Sequence, residues 1–357
     1  MKSKKSFTRL LRITNQRLYI LAGLVFLAAL FLLVWLVWPW LRPATFFYGQ
    51  ETGELKFSPT CEWYRQLDGV CVESEKEINP RLIAVMIENH PAARPPSGLA
   101  QARVVYEAPV EANYTRFLAI YLANQLVPEV GPVRSARPYF LDWVAEYGSP
   151  LYLHVGGSAD ALARIAKEKV LDVNEFFYGQ YFWRSKDRLA PHNVYTNSEN
   201  WLKLLEKIEY TSDQYQGWAF ATTTGYQPPT VNEIVVSFLP PTYEATWKYN
   251  TSTLKYDRYQ DDQLHRDADK QKITADTVIV QKVKSQVLDS VGRLGLATIS
   301  EGEAFVFRQG QITIGQWRKD SLTNRTRFFD TNNSEILLQP GKIWLEILPQ
   351  DGHLTYN

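Results

Sequence analysis

An uncharged apolar segment from Leu18 to Trp38 constrains this chain of 357 residues more than any other feature. At about 1.5 Å of rise per helical residue, a segment of this length spans a hydrocarbon core of about 30 Å. Tyr19, Trp35 and Trp38 suit the two membrane–water interfaces. The sequence therefore predicts a transmembrane helix over residues 18–40.

The basic residues around this segment predict its orientation. Residues 1–42 contain seven Lys and Arg and no Asp or Glu, and six of the seven precede the apolar segment. The positive-inside rule then places the tail, residues 1–17, in the cytoplasm and the body outside the membrane. A cleaved signal peptide would have a shorter apolar region and a cleavage site with small residues, which Pro39–Pro43 does not provide. We therefore expect an uncleaved signal anchor in a single-pass protein of the cytoplasmic membrane.

The charge balance of the body argues against nucleic acid as a partner. The chain has 39 basic and 38 acidic residues, so removing the seven basic residues of residues 1–42 leaves 32 against 38, about −6. A body of this sign does not present a global basic surface. The 45% hydrophobic content of the chain also excludes disorder.

Two cysteines, Cys61 and Cys71, lie in the segment that links the anchor to the body, residues 41–79. In an extracytoplasmic compartment, we expect them to form a disulfide that closes a turn at Asp68-Gly69, with two free thiols as the alternative. Two cysteines without a clustered pair of histidines are weak support for a zinc site.

The hydrophobic pattern of the body predicts an α+β protein with two domains. Residues 80–217 mix apolar runs of strand length with helices, whereas residues 218–357 consist of short β-type runs. One helix is expected to begin at Pro138, and another to follow a Ser158 cap. Gln309-Gly310 separates two β-type runs and predicts a hairpin turn.

The segment Gly131–Pro138 contains the densest group of polar residues. It delivers Arg134, Ser135 and Arg137 to the start of a predicted helix, where guanidinium donors and free backbone N–H groups suit an anion. In the alternative interpretation, Ser135 caps the helix and the two arginines pair with neighbouring acids.

Two further segments contain candidate ligand-binding residues. His154 and Ser158 flank a glycine turn between a predicted strand and a predicted helix, where a ligand could approach closely. The loop-like stretch Phe182–Asn193 combines Arg184, Arg188, His192 and Asn193 with aromatic residues. A structural histidine and a solvated charged loop are the respective alternatives.

Paired acids, Glu107 and Glu111, flank Pro109 and invite comparison with glycoside hydrolases. Salt bridges from these acids to Arg116 or Arg134 are the alternative. The chain has no HExxH motif, no Gly-x-Ser-x-Gly elbow and no dinucleotide-binding motif. We therefore expect no cofactor and no metal, and no motif requires an enzyme.

Several ordered blocks of the sequence resemble the DUF3048 family of YerB-like bacterial envelope proteins. In the N-terminal half they are Ile83–Asn89, Arg94–Leu99, Val105–Ala108, Thr115–Phe117, Gly131–Pro138, His154–Ser158 and Ala190–Asn193. In the C-terminal half they are Thr277–Gln281, Gly310–Trp317 and Pro340–Trp344. The resemblance covers nearly the whole body, from about Pro80 to Pro349.

The resemblance implies a bacterial protein that faces outward, with a mixed α/β domain followed by a β-rich one. Some members of the family look like lipoproteins, but this chain has no lipobox cysteine, and a transmembrane anchor takes that role. The family brings no established reaction. The blocks that resemble the family contain many of the candidate arginines, together with His192. This favours a binding site that the members of the family have in common.

Three functions follow as hypotheses. The first is a binding module for an anionic envelope ligand, such as a peptide carboxylate or a phosphate-bearing polymer. Its candidate ligand-binding residues are Arg94, Arg116, Arg134, Ser135, Arg137, His154, Ser158, Arg184, Arg188, His192 and Asn193. The second is a hydrolase of an envelope polymer, with Glu107 or Glu111 and His154 or His192 as acid and base. The third is a scaffold for other envelope proteins, in which the arginines only brace the fold. The strand edges of the β-rich domain also offer a surface for protein partners.

Overall fold

The computed structural model describes residues 61–111, 114–208, 214–221, 227–239 and 243–357. The predicted tail and membrane anchor, residues 1–17 and 18–40, lie outside these described residues. Among the helices that are described, none is both long and apolar enough to cross a membrane.

The described residues form many strands and few helices. In chain order, the strands of the first part are β1 Trp63–Tyr64, β2 Cys71–Val72, β3 Leu82–Glu88, β4 Val104–Pro109, β5 Thr115–Leu122, β6 Leu151–His154, β7 Asp172–Asn174, β8 Trp183–Arg184 and β9 Val194–Tyr195. The α-helices are α1 Pro138–Val144, α2 Ala159–Glu168, α3 Glu175–Tyr178 and α4 Ser198–Leu205. Short 3₁₀ turns cover Glu75–Glu77, Pro91–Ala93, Ala145–Tyr147 and Gly179–Tyr181.

In the second part, the described residues form strands and no helices. They are β10 Glu233–Leu239, β11 Tyr243–Asn250, β12 Lys255–Gln260, β13 Gln263–Leu264, β14 Thr274–Ala275, β15 Thr277–Val283, β16 Ser285–Val287, β17 Leu294–Leu296, β18 Glu301–Arg308, β19 Gln311–Arg318, β20 Arg327–Asp330, β21 Ile343–Pro349 and β22 His353–Tyr356. The expectation of a mixed α/β part followed by a β-rich part is therefore confirmed.

A ten-stranded sheet forms the middle layer, in the order β20-β19-β18-β15-β21-β4-β5-β3-β6-β7. Strand β3 is buried along its whole length, because both faces of this sheet are covered. Its residues Ile83, Val85 and Ile87 belong to the same core cluster as Trp247 of a six-stranded sheet. The order of that sheet is β13-β12-β11-β10-β22, and its sixth strand, β14, pairs with β12. The alternate residues of β3 share a second core cluster with residues of α1 and α2.

The two halves of the body share this sheet. Strand β21 from the end of the chain pairs in parallel with β4 from the first half, and Glu346 lies opposite Glu107. Residues 60–357 accordingly form one compact unit. The sheet therefore continues across the position at which the sequence predicts a domain boundary, between residues 217 and 218.

Local signals account for several elements. Ser158 caps α2, since its hydroxyl accepts a hydrogen bond from Ala161 N. Gln309 and Gly310 have φ values of 50° and 69° and connect β18 to β19, as the hairpin prediction requires. Cys61 and Cys71 form the expected disulfide beside the β1–β2 pair.

Candidate functional site

A cleft of about 300 Å³ lies where the C-terminal end of β3 meets the N-terminal end of β5. We call it the Arg134 cleft. Its walls are formed by residues from five separate segments of the chain, namely Glu88, His90, Val110, Glu111, Tyr114, Thr115, Arg116, Arg134, Pro191, His192 and Tyr243.

Backbone hydrogen bonds bring the distant segments of the cleft together. Glu88 N donates to Pro132 O over 2.9 Å, and Arg134 N donates to Met86 O over 2.8 Å, so the chain around Arg134 runs beside the end of β3. Val133 N in turn donates to Val194 O over 2.7 Å. His192, two residues before Val194, thereby reaches the same cleft.

Glu88 is the central side chain of the cleft and is 5% exposed. Arg134 Nε donates to its Oε1 over 2.9 Å, and His192 Nδ1 lies 2.8 Å from its Oε2. Within the part of the chain that the structure describes, the two terminal nitrogens of Arg134 have no hydrogen-bond partner. One edge of the guanidinium is thus committed to Glu88, and its terminal fork is available to a ligand.

Two histidines stack at the cleft. The rings of His90 and His192 have centroids 4.7 Å apart and an interplanar angle of 15°. Ala92 N donates to His90 Nδ1 over 3.1 Å. Burial, and then the charge of His192, lower the pKa of His90, which favours its neutral form.

Glu111 joins Arg116 and Arg137 on another side of the cleft. Arg137 Nε donates to Glu111 Oε1 over 2.6 Å, and an Arg116 terminal nitrogen lies 3.6 Å from Glu111 Oε2. Burial acts to raise the pKa of Glu111, but Arg116 and Arg137 outweigh it and lower the value. Arg116 also donates to Ser135 O over 2.9 Å. In this corner two arginines therefore share one carboxylate, and the donors of Arg137 are committed to protein acceptors.

Ser135 does not cap the helix that follows it. Arg137 occupies the N-cap position of α1 without a side-chain hydrogen bond, and Pro138 is the first helical residue. The predicted helix start is confirmed, whereas the capping role considered for Ser135 is wrong, because Ser135 lies two positions before the N-cap residue Arg137.

An aromatic stack lines the cleft beside His90. Tyr114 stacks on Tyr243 at 5.0 Å and meets His90 edge-on at 6.0 Å. The Arg94 guanidinium lies 5.2 Å from the centre of the Tyr243 ring and donates to Asn89 Oδ1 over 3.1 Å. Arg94 therefore supports the wall of the cleft and is not among the residues that line it.

The remaining predicted ligand-binding residues lie away from the Arg134 cleft. Arg184, whose side chain is 45% exposed, bonds Glu175 over 3.0 Å and Asn193 Oδ1 over 3.1 Å. Arg188 donates to the carbonyl oxygens of Ala92, Arg94 and Pro95. These contacts fasten the 182–193 loop and the 91–95 turn to their neighbours.

His154 and Ser158 also have structural partners. His154 is fully buried, with Nδ1 2.8 Å from Gly156 O and Nε2 3.2 Å from Asp172 Oδ2. Ser158 uses its hydroxyl as the cap of α2. The alternative interpretation of His154 as a buried structural histidine fits these contacts.

Glu107 lies in a second, fully buried polar group that we call the Arg258 cluster. Its members are Glu107, Arg258, His265 and Glu346. Arg258 donates to Glu107 Oε2 over 2.6 Å, so the salt bridge considered between Glu107 and Arg116 or Arg134 is wrong, whereas the one between Glu111 and Arg116 is present. The strand register causes this, because it places Glu107 beside Glu346 and below the six-stranded sheet that carries Arg258.

Several residues of the cleft were missed by sequence reasoning. They are His90, Glu88 and Tyr243, although Glu88 is the next-to-last residue of the block Ile83–Asn89 that resembles the family, and His90 directly follows that block. A polar cluster directly after a buried strand was the signal that could have found the first two. The described residues contain no group of three or more His, Cys, Asp or Glu that could hold a metal ion.

The sequence of the body matches a recognised protein family. Residues 67–211 match the family model described as "Protein of unknown function (DUF3048) N-terminal domain", and residues 234–345 match that of its C-terminal domain. The chain belongs to the DUF3048 family, as its sequence blocks indicated.

Its similarity to individual proteins supports the same assignment. The chain is 28% identical over 281 residues to the Bacillus subtilis (strain 168) protein described as "Putative lipoprotein YerB", covering 77% of this chain and 83% of the relative. The crystal structure of YerB from Bacillus subtilis superimposes with a TM-score of 0.72 at 27% identity, over 82% of this chain and 99% of the other. Neither description states a ligand or a reaction.

Proposed function

We propose that the protein is a membrane-anchored, extracytoplasmic binding module that holds an anionic ligand of the cell envelope in the Arg134 cleft. The observation that carries this proposal is the Arg134 guanidinium, whose Nε is fixed by Glu88 while both terminal nitrogens face no protein acceptor among the described residues. A planar fork of this kind binds a carboxylate or phosphate through two parallel hydrogen bonds.

The location in the envelope rests on three observations. Residues 18–40 have the length and composition of a signal anchor. Cys61 and Cys71 form a disulfide, a bond that persists in oxidising compartments. The YerB relative is described as a "Putative lipoprotein", and lipoproteins are membrane-associated proteins.

The electrostatics of the cleft favour a ligand that brings negative charge. Arg116 and Arg134 line it together with Glu88 and Glu111, so the protein charges nearly balance before a ligand arrives. Glu111 is engaged by Arg137 as well as by Arg116, and Arg137 therefore tips the local balance toward positive charge. A single anion at the Arg134 fork offsets this excess without breaking either ion pair.

Anion titration of the full-length protein in detergent tests the proposal. Melting temperature is followed against inorganic phosphate and against succinate at constant ionic strength, because a ligand of the native state raises it by mass action. We expect Arg134→Ala to weaken binding about 10- to 100-fold, the effect of losing hydrogen bonds to a charged group. Arg184→Ala is the matched control, since Arg184 is an ion-paired arginine outside the cleft.

Comparison of the two variants distinguishes anion binding in the Arg134 cleft from nonspecific attraction to surface charge. Loss of the shift in Arg134→Ala, with the shift retained in Arg184→Ala, supports the proposal. No shift with either anion, or equal losses in both variants, would overturn it.

A further inference from the structure

The stacked histidines of the Arg134 cleft have different hydrogen-bonding states. Ala92 N–H donates to His90 Nδ1, so that nitrogen carries a lone pair and the proton of the neutral ring is on Nε2. His192 Nδ1 faces the Glu88 carboxylate, so it donates its proton and leaves the lone pair on Nε2. In the part of the chain that is described, neither Nε2 has a hydrogen-bond partner.

The pair therefore offers a ligand one hydrogen-bond donor and one base side by side. A carboxylate that fixes the tautomer of a histidine and stabilises its cation is the arrangement by which a histidine acts as a general base. A neutral histidine donor next to it can polarise a carbonyl oxygen, since it donates a hydrogen bond without giving up its proton.

We propose that the Arg134 cleft hydrolyses a carboxylic ester carried by its anionic ligand, with His192 as general base and then general acid. This inference rests on the proposed function, because the same cleft must first hold the anion. His90 Nε2–H and the guanidinium fork of Arg134 would receive the negative charge that develops on the ester carbonyl oxygen. Glu88 is a positioning residue that orients His192.

The reaction balances with water as the co-substrate and involves no change of oxidation state. Water attacks the ester carbonyl carbon while His192 Nε2 takes one water proton, so a C–O bond forms and the carbonyl electron pair moves onto oxygen. The resulting tetrahedral intermediate expels the alkoxide, and the His192 cation returns the proton to it. The products are a carboxylic acid and an alcohol, and His192 is neutral again.

The placement of the histidines favours an acyl centre over a phosphodiester. Hydrolysis of a phosphodiester by in-line displacement needs the base and the acid on opposite sides of phosphorus. His90 and His192 lie side by side at 4.7 Å, and only His192 has a free lone pair for proton transfer. In acyl transfer one histidine serves both steps from one side, as the geometry here allows.

Turnover of mono-(4-nitrophenyl) succinate by the full-length protein in detergent tests the inference, with neutral 4-nitrophenyl acetate for comparison. We expect many turnovers per molecule and a preference for the charged ester. His192→Asn keeps an N–H for Glu88 but removes the base, and should lower kcat by at least about 100-fold. His90→Gln keeps a neutral donor and should remain within about 10-fold of the parent, whereas His90→Phe should lose about 100-fold.

His353→Gln controls for the intrinsic reactivity of a surface imidazole, because His353 is exposed and lies outside the cleft. Retained anion-induced shifts in melting temperature show that His192→Asn is folded and can bind. Anion binding without turnover above that of free imidazole would overturn the ester-hydrolysis inference and leave the binding function standing. Equal activity of the parent and His192→Asn would also overturn it, whereas absence of anion binding would remove both.

Discussion

The Arg134 cleft and the Arg258 cluster contain the same three kinds of side chain, Glu, Arg and His, but differ in how completely these groups are engaged. In the Arg258 cluster, Arg258 is fully buried, donates to Glu107 over 2.6 Å and lies 5.1 Å from the centre of the Trp344 ring. In the cleft, Arg134 is partly exposed and donates one hydrogen bond to Glu88. The Arg258 cluster connects two sheets, whereas the cleft retains donors for a ligand.

The two groups are neighbours in space and in sequence. Asn89, which lies between Glu88 and His90, donates to Glu107 Oε1 over 3.1 Å and to Thr115 Oγ1 over 2.7 Å. The buried group therefore fixes the backbone on which the cleft side chains stand. The difference teaches that residue type alone does not separate a structural brace from a binding site. The unused Arg258 Nε is buried, whereas the unused terminal nitrogens of Arg134 belong to a side chain that lines a cleft.

The largest expected effect is the loss of stability in Arg258→Ala. Removing one partner of a buried ion pair leaves Glu107 charged and unpaired, which costs about 3–5 kcal/mol of unfolding free energy. Urea unfolding of the variant and the parent measures the difference. A cost below about 1 kcal/mol would show that the Arg258 cluster stabilises the fold no more than a surface ion pair does. The contrast between a structural cluster and a binding cleft would then be wrong.

The second prediction concerns the pH dependence of stability through Glu346. Burial, and then the charge of Glu107, raise the pKa of Glu346 well above its usual value. Above about pH 4.3 the unfolded chain has lost this proton while the folded protein still holds it. The contribution of Glu346 to the free energy of unfolding should therefore be greatest below that pH. As pH rises, it should fall by about 1.4 kcal/mol per pH unit, until Glu346 ionises in the folded protein.

Glu346→Gln tests this directly, because a glutamine keeps the neutral form at every pH. Unfolding free energies between pH 5 and 7 should fall less steeply in the variant, by about 1.4 kcal/mol per unit. Parallel curves for the two proteins would mean that Glu346 is already ionised in the fold.

The local part of the structure could be predicted from sequence. The helix that begins after Ser158, the hairpin at Gln309-Gly310 and the Cys61–Cys71 disulfide each depend on residues that are close in the chain. In these cases capping, turn conformation and loop closure are local effects, so the residue pattern carries the information.

The partners of the charged residues could not be predicted in the same way. Glu107 and Arg258 are separated by 151 positions, and the register of β4 against β21 and the packing of the six-stranded sheet decide that they meet. A shift of one residue in that register would direct Glu107 to the opposite face. Sequence therefore identified Arg134 and His192 as candidates but could not separate them from Arg184 or His154, whose partners are set by tertiary packing.

The smallest expected effect is the stability change in Arg134→Ala, and it sharpens the comparison most. Glu88 would keep its contact with His192 and would gain water through the open cleft, so the loss should be about 1 kcal/mol, as for a partly exposed ion pair. Urea unfolding under the conditions used for Arg258→Ala gives the matched value. A loss of 3 kcal/mol or more would make Arg134 a second brace, and weaker anion binding in that variant would then reflect damage to the fold. A small loss together with abolished anion binding would assign the free guanidinium fork to the ligand, because the same substitution would have left the frame of the cleft in place.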